Sequence, residues 1–205
     1  MYGFVLPNGA WAHKLKPAVV DVIFTADGVY RVEIRANMEA VLAGIGPRHG
    51  DTADAPQANL YEDLRELPPQ ALTQEIERFA PEYLDAITMA FDGRRAHPRF
   101  VGATVPEVGD VRLARISTVT LEGETPVYAK SFSWRYASEL GNNVLKLHIA
   151  GQDAVRSHWL TDGAASEPFA LDEAVVPKSR WKVATQYTGL GFTHILPLGL
   201  DHILF

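Results

Sequence analysis

Residues 18–37 read A-V-V-D-V-I-F-T-A-D-G-V-Y-R-V-E-I-R-A-N, and their alternation decides the fold class. Val20, Val22 and Phe24 fall on one side of an extended chain, with Asp21, Ile23 and Thr25 on the other. After Asp27-Gly28 the alternation resumes, with Tyr30, Val32 and Ile34 set against Arg31, Glu33 and Arg35. Glycine accepts the positive φ that tight hairpin turns demand, so the stretch predicts a β-hairpin. Asn37 is a good helix N-cap, and it opens a short helix from Met38 to Ala43 that stops at Gly44.

The same period of two returns beyond residue 85. Ile87, Met89 and Phe91 alternate up to a second turn at Asp92-Gly93. Further strands are expected over 94–105, 111–121, 127–136, 144–150, 155–161 and 167–171. Phe132, Trp134 and Tyr136 form one apolar stripe, and Leu145, Leu147 and Ile149 another. Between the two β regions, Leu64, Leu67, Leu72, Ile76 and Phe79 recur at helical spacing, interrupted by Pro68-Pro69. That predicts two short helices inserted at about 59–80. The expected fold is therefore mainly β: an antiparallel, immunoglobulin-like sandwich with a short helical insertion and an apolar C-terminal helix.

Composition bounds the function. The 205 residues are 47% hydrophobic, enough for a real core. Lys and Arg number 19 against 25 Asp and Glu, a formal charge of -6, with no long basic run. Nucleic acid is not an expected partner, because phosphate neutralisation needs clustered cations. With no cysteine, disulfides and thiol nucleophiles are excluded. No Gly-x-Ser-x-Gly elbow, phosphate-binding loop, dinucleotide fingerprint or His-Glu-x-x-His motif is present, so no enzyme activity is expected.

The two ends carry the functional signals. Ala10-Trp11-Ala12 is a small-x-small site, and residues 1–12 read as the remnant of a signal peptide. A short leader is the alternative. Cleavage after Ala12 would make His13 the first residue, where an amine and an imidazole together can chelate copper or nickel. Residues 13–172 form the expected extracytoplasmic domain, and 173–188 a linker. Within the linker Lys178, Arg180 and Lys182 surround Trp181, a composition that suits a membrane interface. Basic flanks favour the cytoplasmic side, so this cluster pulls against the extracytoplasmic placement. Residues 189–205 read G-L-G-F-T-H-I-L-P-L-G-L-D-H-I-L-F, with His194, Asp201 and His202 as the only ionisable side chains. The run predicts the start of a membrane helix, which needs roughly 20 apolar residues and continues past Phe205. On a helix, His194 and Asp201 project from nearly the same face, with His202 on the adjoining flank. Two imidazoles and a carboxylate suit a divalent transition metal such as nickel, cobalt or zinc. Gly199 admits close approach of a neighbouring helix. A buried, non-membrane terminal helix fits the same residues, with Asp201 as a surface partner of the two histidines.

The run G-F-T-H-I-L-P-L-G-L-D-H-I-L-F resembles the opening of the membrane domain of the HupE/UreJ family of hydrogenase and urease accessory proteins. Two other stretches, A-H-K-L-K-P from Ala12 and N-M-E-A-V-L-A-G-I from Asn37, are similar to the extracytoplasmic domain of one branch of that family. The resemblance implies uptake or handling of nickel or a related metal, with His194, Asp201 and His202 as ligands. It also implies a cell-membrane protein whose residues 13–188 lie outside. A soluble periplasmic sandwich that binds a partner, with no transport role, is the second expectation. Scattered histidines (His97, His148 and His158) and the His49, Asp51, Asp54 loop read as solvated or hydrogen-bonded groups.

Overall fold

The computed structural model describes residues 15–171, apart from 48, 50, 51, 112, 128 and 150–154. The hairpin is as its alternation requires. Strands β1 (Ala18–Phe24) and β2 (Val29–Ala36) pair antiparallel, with Val20 opposite Ile34 and Val22 opposite Val32. Every even residue from Ala18 to Phe24 and from Tyr30 to Ala36 is buried. Asn37 then caps α1 (Met38–Leu42), its side-chain oxygen accepting from the Ala40 amide at 3.2 Å. Its amide nitrogen donates to the Tyr61 hydroxyl at 2.8 Å, tying the cap to the next helix.

The helical insertion is longer than its periodicity predicts. Helix α2 covers Ala58–Glu66 and α3 covers Pro69–Asp85, a helix of 17 residues rather than a short one. Leu67 and Pro68 stand between them in extended conformation, because a residue that precedes proline is pushed out of the helical region. Pro69 then occupies the first turn of α3, where its missing N–H costs nothing.

The remaining strands are β3 (Ile87–Phe91), β4 (Arg94–Arg95), β5 (Arg99–Thr104), β6 (Ser117–Glu124), β7 (Ser131–Tyr136), β8 (Asn143–Ile149), β9 (Val155–Leu160) and β10 (Phe169–Ala170). They build a six-stranded sheet, in the order β5-β6-β2-β1-β8-β9, and a four-stranded sheet, β10-β7-β3-β4. Phe24 of the larger sheet packs against Phe91, Phe132 and Phe169 of the smaller, with ring centroids 5.2 to 6.4 Å apart. Trp134, on the smaller sheet, donates its indole N–H to Asn143 on the larger at 3.2 Å. Leu72, Ile76 and Tyr83 of α3 join the same core.

Three expectations are corrected. The sandwich is not wholly antiparallel: β1 and β8 run parallel, Val20 beside Leu145 and Val22 beside Leu147. Alternation has the same period in either direction, so it carries no sign of orientation. Residues 94–105 do not make one strand. The chain leaves the small sheet after Arg95, passes His97-Pro98, and enters the large sheet at Arg99. Residues 113–116 are not strand either, because Arg115 is drawn inward. Its guanidinium meets Glu39 at 2.7 Å and donates to the carbonyls of Leu64 (3.3 Å) and Leu67 (3.0 Å) at the end of α2. The Leu64 carbonyl also accepts from the Leu67 amide at 3.3 Å, and a cation beside the carbonyls of a helix C-terminus is favourable. Glu39 is wholly buried and the Arg115 side chain is 8% exposed. The expected C-terminal helix, 189–205, lies outside the described residues.

Candidate binding cleft

At one end of the sandwich, where the chain crosses from the small sheet to the large one, the two sheets leave a cleft of about 860 Å3. That is within the range of small-molecule sites. The β3–β4 turn forms one wall. Asp92 (φ 48°) and Gly93 (φ 76°) both take positive φ, the geometry of a two-residue hairpin turn. The Asp92 carboxylate accepts from the amides of Lys130 and Ser131 (3.1 and 2.9 Å) and from the Ser131 hydroxyl (2.9 Å). These donors hold its pKa below the ordinary carboxylate value, the Lys130 amide most of all. So fixed, the turn presents Arg94, Arg95 and His97 to the cleft.

The opposite wall is the start of β2 and the end of β6: Tyr30, Glu122, Gly123 and Glu124. Glu122 is clamped between Arg31 (2.6 Å) and Arg99 (2.5 Å). Arg95 donates to the carbonyls of Asp85 and Ile87, both at 3.3 Å. The side chains of Arg94, His97 and Glu124 have no hydrogen-bond or ionic partner among the described residues.

Tyr30 is 1% exposed, and its hydroxyl also has no hydrogen-bond partner among the described residues. Burial pushes its pKa up to about 12, so the phenol stays protonated and is a donor at any physiological pH. Tyr30 lines the cleft, so its hydroxyl is a donor that water or a ligand there can meet. Gly123 makes room for it, since a Cβ at that position would overlap the phenol.

The histidines weighed from sequence are scattered. His97 lines the cleft. His148 bonds Asp21 at 2.9 Å on the outer face of the large sheet, and Asp21 is also paired with Arg35 at 2.7 Å. His158 is half-buried on β9. His49 lines a separate cleft of about 200 Å3, Asp54 is exposed, and Asp51 is outside the described residues. Among the described residues no group of three or more His, Asp or Glu side chains is placed to hold a metal ion. Nor is any helix among them long and apolar enough to cross a membrane. His13, His194, Gly199, Asp201 and His202 lie outside the described residues.

The cleft was not singled out by periodicity. Tyr30 reads as an ordinary member of the β2 core stripe, and Gly123 as punctuation. The available signal was cation density: R-R-A-H-P-R, residues 94–99, places three arginines and a histidine in six positions directly after a turn. No protein-family model matches this sequence, and no curated protein matches it either.

Proposed function

We propose that this chain is the extracytoplasmic part of a HupE/UreJ-like membrane protein engaged in uptake or handling of nickel, or of another divalent transition metal such as cobalt. The observation that carries this reading is the apolar run from Gly189, in which the only ionisable groups are His194, Asp201 and His202 at spacings that gather them on a helix. Ionisable side chains in such a segment are costly and mark a function by default. Two neutral imidazoles and a carboxylate would ligate the ion, Gly199 would let a neighbouring helix approach, and His13 would add an amine–imidazole pair after cleavage. The partner is the membrane, reached through the C-terminal segment, with residues 13–188 outside it. The two-sheet domain serves as an immunoglobulin-like module, a rigid frame with a recognition surface at one end. The test is nickel uptake by cells carrying the full gene. His194→Ala and Asp201→Ala are each expected to abolish uptake at equal protein level, and parental uptake in both would overturn the proposal.

A second reading is a soluble extracytoplasmic binding module with no transport role. The cleft with its unpaired Arg94, His97 and Tyr30 favours it. The 205-residue chain would then stay monomeric without detergent, which gel filtration checks.

A further inference from the structure

We infer that the cleft at the sheet crossover is a ligand site and that it takes a small organic carboxylate with an apolar body. The ligand class follows from which groups of the lining are already paired. By formal charge the lining is balanced, with three arginines against Asp92, Glu122 and Glu124. The pairing is not balanced. Asp92 is occupied by the backbone and side chain of the β7 entry, and Glu122 by Arg31 and Arg99. The Arg94 and His97 side chains are left with donors and no acceptor, and the Tyr30 hydroxyl supplies another. A carboxylate has lone pairs for all of them and geometric complementarity to the guanidinium fork.

The rest of the lining sets the body of the ligand. Val29, Phe91, Ala96, Pro126 and Val127 are apolar and offer a hydrocarbon or ring no hydrogen bond. Such a lining, with a few convergent polar groups, is the usual make-up of a small-molecule site. Tyr30 is the most telling element. Its ring is held in the core, yet its hydroxyl bonds no described residue and is left to water or a ligand in the cleft. Gly123 belongs to the same device, because a side chain there would displace the phenol. The inference stands on the cleft alone, so it holds whether or not the C-terminal run handles metal.

Calorimetric titration of the 205-residue chain in a nonionic detergent tests it, with 3-phenylpropionate as the probe. The acid should bind saturably at one site. Both 3-phenylpropanamide, which lacks the charge, and acetate, which lacks the body, should bind at least tenfold more weakly. Arg94→Gln should weaken the acid about tenfold or more, and Tyr30→Phe severalfold, while Tyr30→Phe leaves the thermal midpoint close to the parent's. Glu124→Gln should tighten binding, because it removes the unpaired acid of the lining. Arg78→Gln, a surface change on α3, should leave binding unchanged. No binding of the acid, equal binding of acid and amide, or parental affinity in both Arg94→Gln and Tyr30→Phe would each overturn the inference.

Discussion

Arg115 and Arg94 belong to the same chain and are used in opposite ways. Arg115 is buried and its donors are taken up by the Glu39 carboxylate and by two carbonyls that end α2. Arg94 is exposed on a two-residue strand, and its side chain is paired with nothing among the described residues. The first arrangement fastens α1, α2 and the 113–116 loop into one unit. The second leaves a cation in the lining of the same cleft as the Tyr30 hydroxyl. An arginine whose hydrogen bonds are filled by its own protein is a structural part. One whose bonds are open, next to other open donors, is available to a ligand.

The sharpest way to break this contrast is to remove Arg115. Arg115→Met leaves the Glu39 carboxylate buried and uncompensated, and stability should fall by about 3–5 kcal/mol in chemical denaturation. A loss under about 1 kcal/mol would show that the ion pair does not fasten the helices. The double change Glu39→Gln with Arg115→Met should cost clearly less than the sum of the two single changes, because the stranded charge is gone. Asn37→Ala probes the same unit from the other side. It removes the α1 cap and the partner of the Tyr61 hydroxyl, and should cost about 1–2 kcal/mol.

Acid titration addresses the cleft turn. The Asp92 pKa is lowered by folding, so its contribution is fully present above the ordinary value of 3.8 and is lost as pH falls below that value through the folded-state pKa. Parent stability should therefore decline more steeply than that of Asp92→Asn as pH is lowered from about 4, measured by denaturation at a series of pH values. The smallest effect is expected for Arg94→Gln. With no partner to lose, its stability should match the parent within about 0.5 kcal/mol. A larger loss would mean that Arg94 is a structural residue after all, and the contrast with Arg115 would disappear.

Much of the fold is legible in the residues because burial imposes a local period. Val20, Val22 and Phe24 had to share a face, as did Phe132, Trp134 and Tyr136, and all are buried. Asn37 as a cap, Asp92-Gly93 as a turn and the Leu67-Pro68-Pro69 break are likewise dictated by bonded geometry within a few residues. What failed was anything set by a distant neighbour. Arg115 gives no local sign that its partner lies 76 positions earlier. The split of 94–105 between two sheets depends on where β6 and β3 have been placed. Tyr30 could be recognised as buried but not as bordering a cleft, since the rest of that lining comes from β6 and the β3–β4 turn.

By itself, then, the sequence determined the β1–β2 hairpin, the inward faces of the core strands, the α1 cap, the tight turns and the absence of thiol chemistry, because side-chain alternation and backbone sterics act over a few residues. The sequence also contains the His194, Asp201, His202 constellation on which the metal proposal rests. Only the tertiary structure decided that β1 runs parallel to β8, that Arg115 closes α2, and that Tyr30, Arg94 and His97 meet in one cleft. Each of these is a pairing across tens of residues, and neither period nor propensity encodes which distant strand or side chain will arrive alongside.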